Sequence, residues 1–316
     1  MSNYKYIFGP VPSRRLGLSL GADVIPFKTC SFDCVYCELG RTTNKTVERK
    51  EYIPLEDIKR ELTEKLKENI KIDYITIAGS GEPTLYSKLG ELIDFIKSVT
   101  DIPAAILTNG SLLWDEKVRD DIKNADLVKP SLDFWDDDSF QKVNRPEKQL
   151  SREKIIEGLI EFSHGFKNKI WLEVFLLKDT AMNDGKIDII AQIVNKMRVD
   201  KVQLNSVDRP PAESYAKAPT TEEMNRYKTF FKHKDVEIIY KFQPKIESDN
   251  VVDKFDVINL LRRRPCSIDD IASGLQINRN EATKLANKLL EEKEAQVETV
   301  EGKNFIALTN KKKTPH

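Results

Sequence analysis

The stretch KTCSFDCVYCELG, Lys28 to Gly40, carries three of the four cysteines of the chain, Cys30, Cys34 and Cys37, at i, i+4 and i+7. Thiolates favour soft metals, so three within eight residues read first as a ligand loop for zinc or an iron-sulfur cluster. A structural zinc ion wants four protein ligands, whereas the other candidates are Cys266 and three histidines, His164, His233 and His316, all distant in sequence. A Cys34/Cys37 redox dithiol leaves Cys30 without a task, and one helical face of buried cysteines is the bland reading of the same spacing. A cubane held by three thiolates keeps one iron without a protein ligand, which turns the missing fourth cysteine into a functional feature.

A ligand loop needs a frame to hold it. Short apolar, β-branched runs alternate with longer charged segments of helical spacing, the pattern of repeated βα units and a parallel sheet. ADVIPF precedes the cysteines; LEDIKRELTEKLKEN reads as a helix and IDYITIAG as a strand; SKLGELIDFIKSV is a helix and IPAAILT a strand. WDEKVRDDIKN then leads to ADLVKPSLD, SREKIIEGLIEFSHG to NKIWLEVFLL, and GKIDIIAQIVNKM to DKVQLNSV. That makes six strands, with room for a seventh at DVEIIYKF after the helix EEMNRYKTFFKH. Six βα units suit an α/β fold of the partial (βα)6 TIM-type barrel kind better than a doubly wound sheet. Beyond Pro244 the rhythm changes: DKFDVINLLRRR, SIDDIASGL and NRNEATKLANKLLEEK read as three helices, and AQVETV and NFIALT as a hairpin. This is the order of a winged helix-turn-helix. The expected organisation is a barrel with an N-terminal strap over 1–244, a winged helix-turn-helix over 245–310 and a disordered tail over 311–316.

Lys+Arg and Asp+Glu both number 51 in 316 residues, so no whole-molecule field draws the chain toward nucleic acid or anionic lipid. Four cysteines in a charged chain of this size do not form a secreted disulfide framework. No apolar signal core opens the sequence and no 18-residue apolar window occurs in it, so the expectation is a cytoplasmic protein without a membrane partner.

CSFDCVYC has the CxxxCxxC spacing, with an aromatic before the last cysteine, and resembles the signature of the radical S-adenosylmethionine superfamily. FGPVPSRRLGLSLG followed by IPFKTCSFDCVYCELG further resembles an archaeal and bacterial family of that superfamily without an assigned substrate, itself similar to the tRNA wybutosine tricycle-forming enzymes. The resemblance implies that Cys30, Cys34 and Cys37 bind a [4Fe-4S] cluster, that S-adenosylmethionine chelates the fourth iron, and that Tyr36 lies near the adenine. SGEP, Ser80 to Pro83, resembles the family's glycine-glycine-glutamate-proline motif with Ser80 in place of the first glycine. Gly81 and Glu82 would then meet the amino group of S-adenosylmethionine.

A barrel builds its site from the loops after its strands, and GSGEP, TNG, SLD, KDTAMND and NSVDRPP follow successive strands here. Asn109 of TNG is a candidate ligand contact, with an Asn-Gly turn as its plain alternative. Ser131 and Asp133 of SLD resemble a segment that reaches the ribose or carboxylate in relatives, or simply cap the next helix. Glu173 lies in an apolar strand, where an acid needs a partner or a polar barrel centre; it and Asn205 are expected near the ligand. Arg145 either orients a carboxylate or pairs with a nearby aspartate, and Ser13, Arg14 and Arg15 either grip a phosphate or form a strap. His164 reads as a helix-end dipole partner and Cys266 as a half-buried packing residue.

Residues 251–316 hold 12 basic and 10 acidic side chains, a net charge of plus 2. Arg262, Arg263 and Arg264 cluster at one helix end, while Arg279, Lys284 and Lys288 recur along the third helix, so the module reads either as a local nucleic-acid surface or as a protein-docking face. The leading expectation is an enzyme using a low-potential electron donor to cleave S-adenosylmethionine and abstract hydrogen from an RNA or protein substrate. The alternative is a regulator that senses redox state or S-adenosylmethionine and binds DNA.

Overall fold

The computed structural model describes residues 4–13, 15–68, 70–178, 183–239, 252–275, 277–300 and 302–309. Its strands come in the order of the chain: β1 (Ile7–Ser13), β2 (Gly17–Asp23), β3 (Tyr74–Ala78), β4 (Ala104–Leu107), β5 (Leu127–Lys129), β6 (Lys169–Leu176), β7 (Lys201–Ser206) and β8 (Val236–Ile238) form one sheet with each strand beside the next. β1 and β2 are antiparallel, and every later pairing is parallel. The helices α1 (Leu55–Leu66), α2 (Leu89–Val99), α3 (Glu116–Ile122), α4 (Arg152–Gly165), α5 (Asp184–Val194) and α6 (Thr221–Lys228) alternate with the strands from β3 onward. Among the described residues the sheet ends at β1 on one side and β8 on the other, which is the open, partial-barrel form of a TIM-type α/β fold.

Pattern explains placement. In β6, Ile170, Leu172, Val174 and Leu176 are buried, whereas Trp171, Glu173 and Phe175 are half-buried on the other face. On α1, Leu55, Ile58 and Leu62 share one face and join the core between sheet and helices. Inside the barrel, Leu16 from the β1–β2 turn packs with Tyr74, Ala105, Leu107, Leu127 and Trp171, stopping the end opposite the cysteines.

The first strand departs from expectation. It is Gly17–Asp23 and shares only Ala22 and Asp23 with ADVIPF. Glycines and Ser19 hide it from a hydrophobic pattern, and each has a packing reason. A Cβ on Gly21 would stand 2.1 Å from the Phe8 ring, and Ser19 shares a 2.5 Å hydrogen bond with Thr76. β1, read from sequence only as a strap, adds an antiparallel edge. The seventh expected strand is present as Val236–Ile238, and residues 240–242 of its run, with the expected boundary at 244 and the tail, lie outside the described residues.

After it come α7 (Lys254–Arg263), α8 (Ile268–Leu275), α9 (Arg279–Glu291) and an antiparallel hairpin, β9 (Ala295–Val300) with β10 (Lys303–Leu308). Asp253 and Asn278 cap α7 and α9 through side-chain oxygens. Val257, Leu261, Ile271, Ala286, Leu289 and Ile306 form a second core. Val11 of β1 packs on its edge.

Candidate functional site

The cysteine loop leaves β2 and is fastened at several points. Thr29–Cys30 pairs with Asn44–Lys45 as a two-residue ribbon. The Asp33 and Val35 N–H groups donate to the Asn144 and Val143 carbonyls at 2.9 Å each. The Asp33 carboxylate accepts from Thr42 N at 2.7 Å and Arg41 Nε at 3.0 Å, closing the loop. Lys28, whose φ is 61°, donates its N–H to the Ser80 carbonyl at 2.6 Å and its Nζ to Cys37 Sγ at 3.2 Å.

The three thiols are half-buried. Asn109 Nδ2 lies 3.6 Å from Cys30 Sγ, and Asn144 Nδ2 lies 3.6 Å from Cys34 Sγ. Burial, with the Glu82 carboxylate adding to it, pushes the Cys30 thiol up to about 12, and burial with the neighbouring thiols pushes Cys34 well above its ordinary value. Such thiols ionise when a bound cation compensates them. Soft donors with amide N–H groups directed at their sulfurs therefore fit an iron-sulfur cluster. Among the described residues no three His, Cys, Asp or Glu side chains are grouped to hold a metal ion; in a cubane each thiolate meets its own iron.

The expected ligand residues lie around this loop, several of them already engaged. A Cβ on Gly81 would meet the Thr29 carbonyl oxygen at 1.7 Å, so its close approach is to the cysteine loop. Glu82 is buried, and its carboxylate accepts from Thr84 N at 3.0 Å, Thr84 Oγ1 at 2.5 Å, Thr108 Oγ1 at 2.6 Å and Asn109 N at 2.7 Å. That carboxylate ties two strand-end loops together. Ser80 has its own reason to replace glycine: its hydroxyl donates to Asp23 at 2.7 Å. Asn109 also donates to Ser31 Oγ at 2.9 Å.

Ser131 forms a parallel bridge with Glu173. Asp133 is buried and accepts from the Tyr36 hydroxyl, from Phe175 N at 2.9 Å and from Asn144 Nδ2 at 3.4 Å. Burial raises its carboxyl to about 6 against the pull of those donors. Tyr36 stacks on Phe175 with ring centres 3.9 Å apart. Glu173 faces the interior and meets Arg15, Lys129 Nζ at 3.6 Å and Asn205 Nδ2 at 3.4 Å. The Asn205 Oδ1 is buried without a hydrogen-bond partner among the described residues.

Sequence reasoning passed over Lys28, although it opens the quoted cysteine stretch, and Asn144, the neighbour of Arg145; Asn144 touches Cys34, Tyr36 and Asp133 at once. Arg145 pairs with Glu213 at 2.7 Å and lies 3.8 Å from Asp33. Arg15 acts as an internal strap, and Arg14 and His316 lie outside the described residues. His164 Nε2 meets the Lys196 carbonyl at 3.0 Å. Cys266 is fully buried, not half-buried, because its backbone pairs with Ile306 beneath the hairpin. Two arginines of the cluster are engaged, Arg263 with Asp23 and Arg264 at 3.6 Å from Glu38, while Arg262 is exposed.

Residues 24–185 match the family described as the Radical SAM superfamily. A UPF0026 protein of Methanocaldococcus jannaschii is 38% identical over 293 residues, covering 90% of each chain. A UPF0026 protein of Helicobacter pylori strain J99 is 34% identical over 310 residues, 96% of this chain and 97% of that one. A protein of Brachyspira hyodysenteriae named GTPase Obg is 44% identical over 301 residues; the match spans 94% of this chain and less than half, 44%, of that relative. This sequence holds no Gly-x4-Gly-Lys-Ser/Thr phosphate loop. Among solved structures, a radical SAM methyltransferase from Sphaerobacter thermophilus superposes with a TM-score of 0.55 at 14% identity, covering 70% of this chain and 66% of that one. Streptococcus suis SuiB bound to S-adenosylmethionine superposes at 0.52 with 16% identity, covering 68% and 49%. With the cysteine loop set over the ends of a parallel partial barrel, the chain belongs to the Radical SAM superfamily, whose cofactors are a [4Fe-4S] cluster and S-adenosylmethionine, and to its UPF0026 branch.

Proposed function

We propose that this chain is an enzyme in which Cys30, Cys34 and Cys37 hold the cluster and the loops after the strands hold S-adenosylmethionine. The observation that carries the reading is the meeting of the thiols with Asn109 and Asn144, which come from two different strand-end segments. Held by Cys30, Cys34 and Cys37 and reduced by a low-potential donor, the cluster would supply the single electron for reductive cleavage of S-adenosylmethionine to methionine and a 5'-deoxyadenosyl group that would take a hydrogen atom from the substrate. The protein's own part is position and exclusion. Asn109 and Asn144 offer N–H groups to sulfur, which bears on the potential. The Tyr36–Phe175 stack walls the site, with Asp133 fixing the tyrosine hydroxyl. Glu173 and Asn205 present a polar interior whose Oδ1 acceptor on Asn205 remains available to a ligand.

The substrate we infer is a macromolecule, RNA ahead of protein. The C-terminal helices and hairpin, read as a winged helix-turn-helix, and the resemblance to tRNA-modifying enzymes support that choice. A cytoplasmic setting suits thiols that must stay reduced.

Anaerobic reconstitution with iron and sulfide, then dithionite and S-adenosylmethionine, should yield 5'-deoxyadenosine and methionine in equal amounts. Cys30→Ala, Cys34→Ala and Cys37→Ala should each abolish cluster loading, and Cys266→Ala should spare it. No 5'-deoxyadenosine even with bulk tRNA or cell extract added, or equal loss from all four substitutions, would overturn the reading.

A further inference from the structure

Beside the cysteine loop lies a cavity of about 810 Å³, bordered by Val35, which separates Cys34 from Tyr36. Its lining includes five cations, Lys142, Arg145, Lys178, Lys186 and Lys217, against one acid, Asp138. Two of the cations are neutralised locally: Lys142 lies 2.9 Å from Asp138, and Arg145 lies 2.7 Å from Glu213. Lys178 and Lys217 make no ion pair among the described residues. Lys186 sits 4.9 Å from the centre of the Trp135 ring, with Asp136 in its field.

Two details point to an anion there. Lys178 and Lys217 face each other across an antiparallel bridge, with Lys178 N donating to the Lys217 carbonyl at 2.8 Å. Like charges set directly opposite one another destabilise a pairing, and a bound anion converts that repulsion into attraction. The Trp135 indole is 5% exposed, lines the same cavity, and its Nε1–H has no hydrogen-bond partner among the described residues. A buried donor left open in this way calls for an acceptor.

The cavity is far larger than a phosphate ion and falls in the range of small-molecule sites. On the side of the cysteine loop, Val35, Val143, Leu177 and Ala216 form a small apolar cluster that also packs Tyr36 and Phe175. A group with an anionic end and a flat, partly apolar body matches both parts. We propose that this cavity binds a nucleotide unit, its phosphate held by Lys178, Lys186 and Lys217 and its body lodged between Trp135 and the Val35–Val143 floor. The identification of that nucleotide as part of the substrate rests on the enzyme reading above; the binding itself does not.

The test is fluorescence anisotropy of the full chain with two separate probes, a 5'-labelled ten-nucleotide RNA and a fluorescently labelled AMP, with inorganic phosphate as competitor. The Lys178→Ala/Lys186→Ala/Lys217→Ala variant should bind at least tenfold more weakly. Its plot of log affinity against log salt should be shallower by about 0.7, the contribution of one phosphate neutralised on a single strand. The corresponding triple Arg variant should bind like the parent, as should Arg279→Ala/Lys284→Ala/Lys288→Ala. If AMP binds through the lysines and the RNA does not, the nucleotide is a free one; if both bind, it belongs to a strand. The proposal is overturned if the triple Ala variant keeps parental affinity for both probes, or if affinity is lost in the α9 variant instead. Binding is read without turnover, so failure here and failure to form 5'-deoxyadenosine are separate results.

Discussion

A single methyl group decides the geometry at Gly81. The Cβ of an alanine there would press on the Thr29 carbonyl oxygen, which is backbone and cannot swing aside. Glu82 N donates to that same oxygen at 3.1 Å, so the clash falls on the clasp between the β3 loop and the cysteine loop. Gly81→Ala should cost about 1–3 kcal/mol, as overpacking does, and should lower the iron bound per chain after reconstitution. A parental denaturation midpoint together with full iron loading would show that the clasp tolerates the methyl. The sequence made the three cysteines legible because their chemistry and spacing are local. Glu82 was harder: its partners Thr108 and Asn109 are 26 and 27 residues away, so an acid that looks poised for a ligand is held by the protein itself. Asn144 was obscured for the same reason, since only folding brings it to Cys34.

At the scale of elements, short apolar runs marked the parallel strands from β3 to β8, with true alternation in β6. The interior face left no such mark. Across β5, β6 and β7 it carries Lys129, Glu173 and Gln203, with Lys129 Nζ donating to the Gln203 amide oxygen and lying 3.6 Å from Glu173. Arg15 completes the group from the β1–β2 turn, a contact across 158 residues that no periodicity reports. Removing one partner of a buried ionic group costs about 3–5 kcal/mol because the other charge stays buried. Glu173→Ala should therefore lose roughly 3 kcal/mol in urea unfolding, with Lys129 left in the interior. Adding Lys129→Met should restore part of that loss. Strictly additive effects of the two substitutions would mean that the ammonium and carboxylate are not coupled.

For the whole molecule, equal totals of acid and base conceal how the charges are spent. The arginines at the end of α7 stand out in sequence as a surface for nucleic acid, yet Arg263 lies over the Phe8 ring at 4.3 Å and pairs with Asp23 at the barrel mouth. Arg209, buried in the loop after β7, joins Glu38 of the cysteine loop at 3.2 Å to Asp270 of α8 at 2.8 Å. The C-terminal helices are thus fastened one residue from Cys37. Burial pushes the Asp270 carboxyl up, but the Arg209 guanidinium, the Ser267 N–H and Arg264 pull harder, and the group ends below its ordinary value. The unfolded chain then takes the proton first, so this contribution to stability is fully present above the ordinary carboxylate pKa of about 4 and is lost as pH falls through the lowered value. Asp270→Asn should be less stable than the parent at pH 7 by about 1–3 kcal/mol, the scale of removing a charge-assisted hydrogen bond from a mostly buried site. Urea midpoints measured from pH 7 down to pH 3 should show the two proteins converging as the parental carboxylate protonates. A gap that stays constant across that range would mean that the Asp270 charge does not hold the C-terminal helices to the barrel.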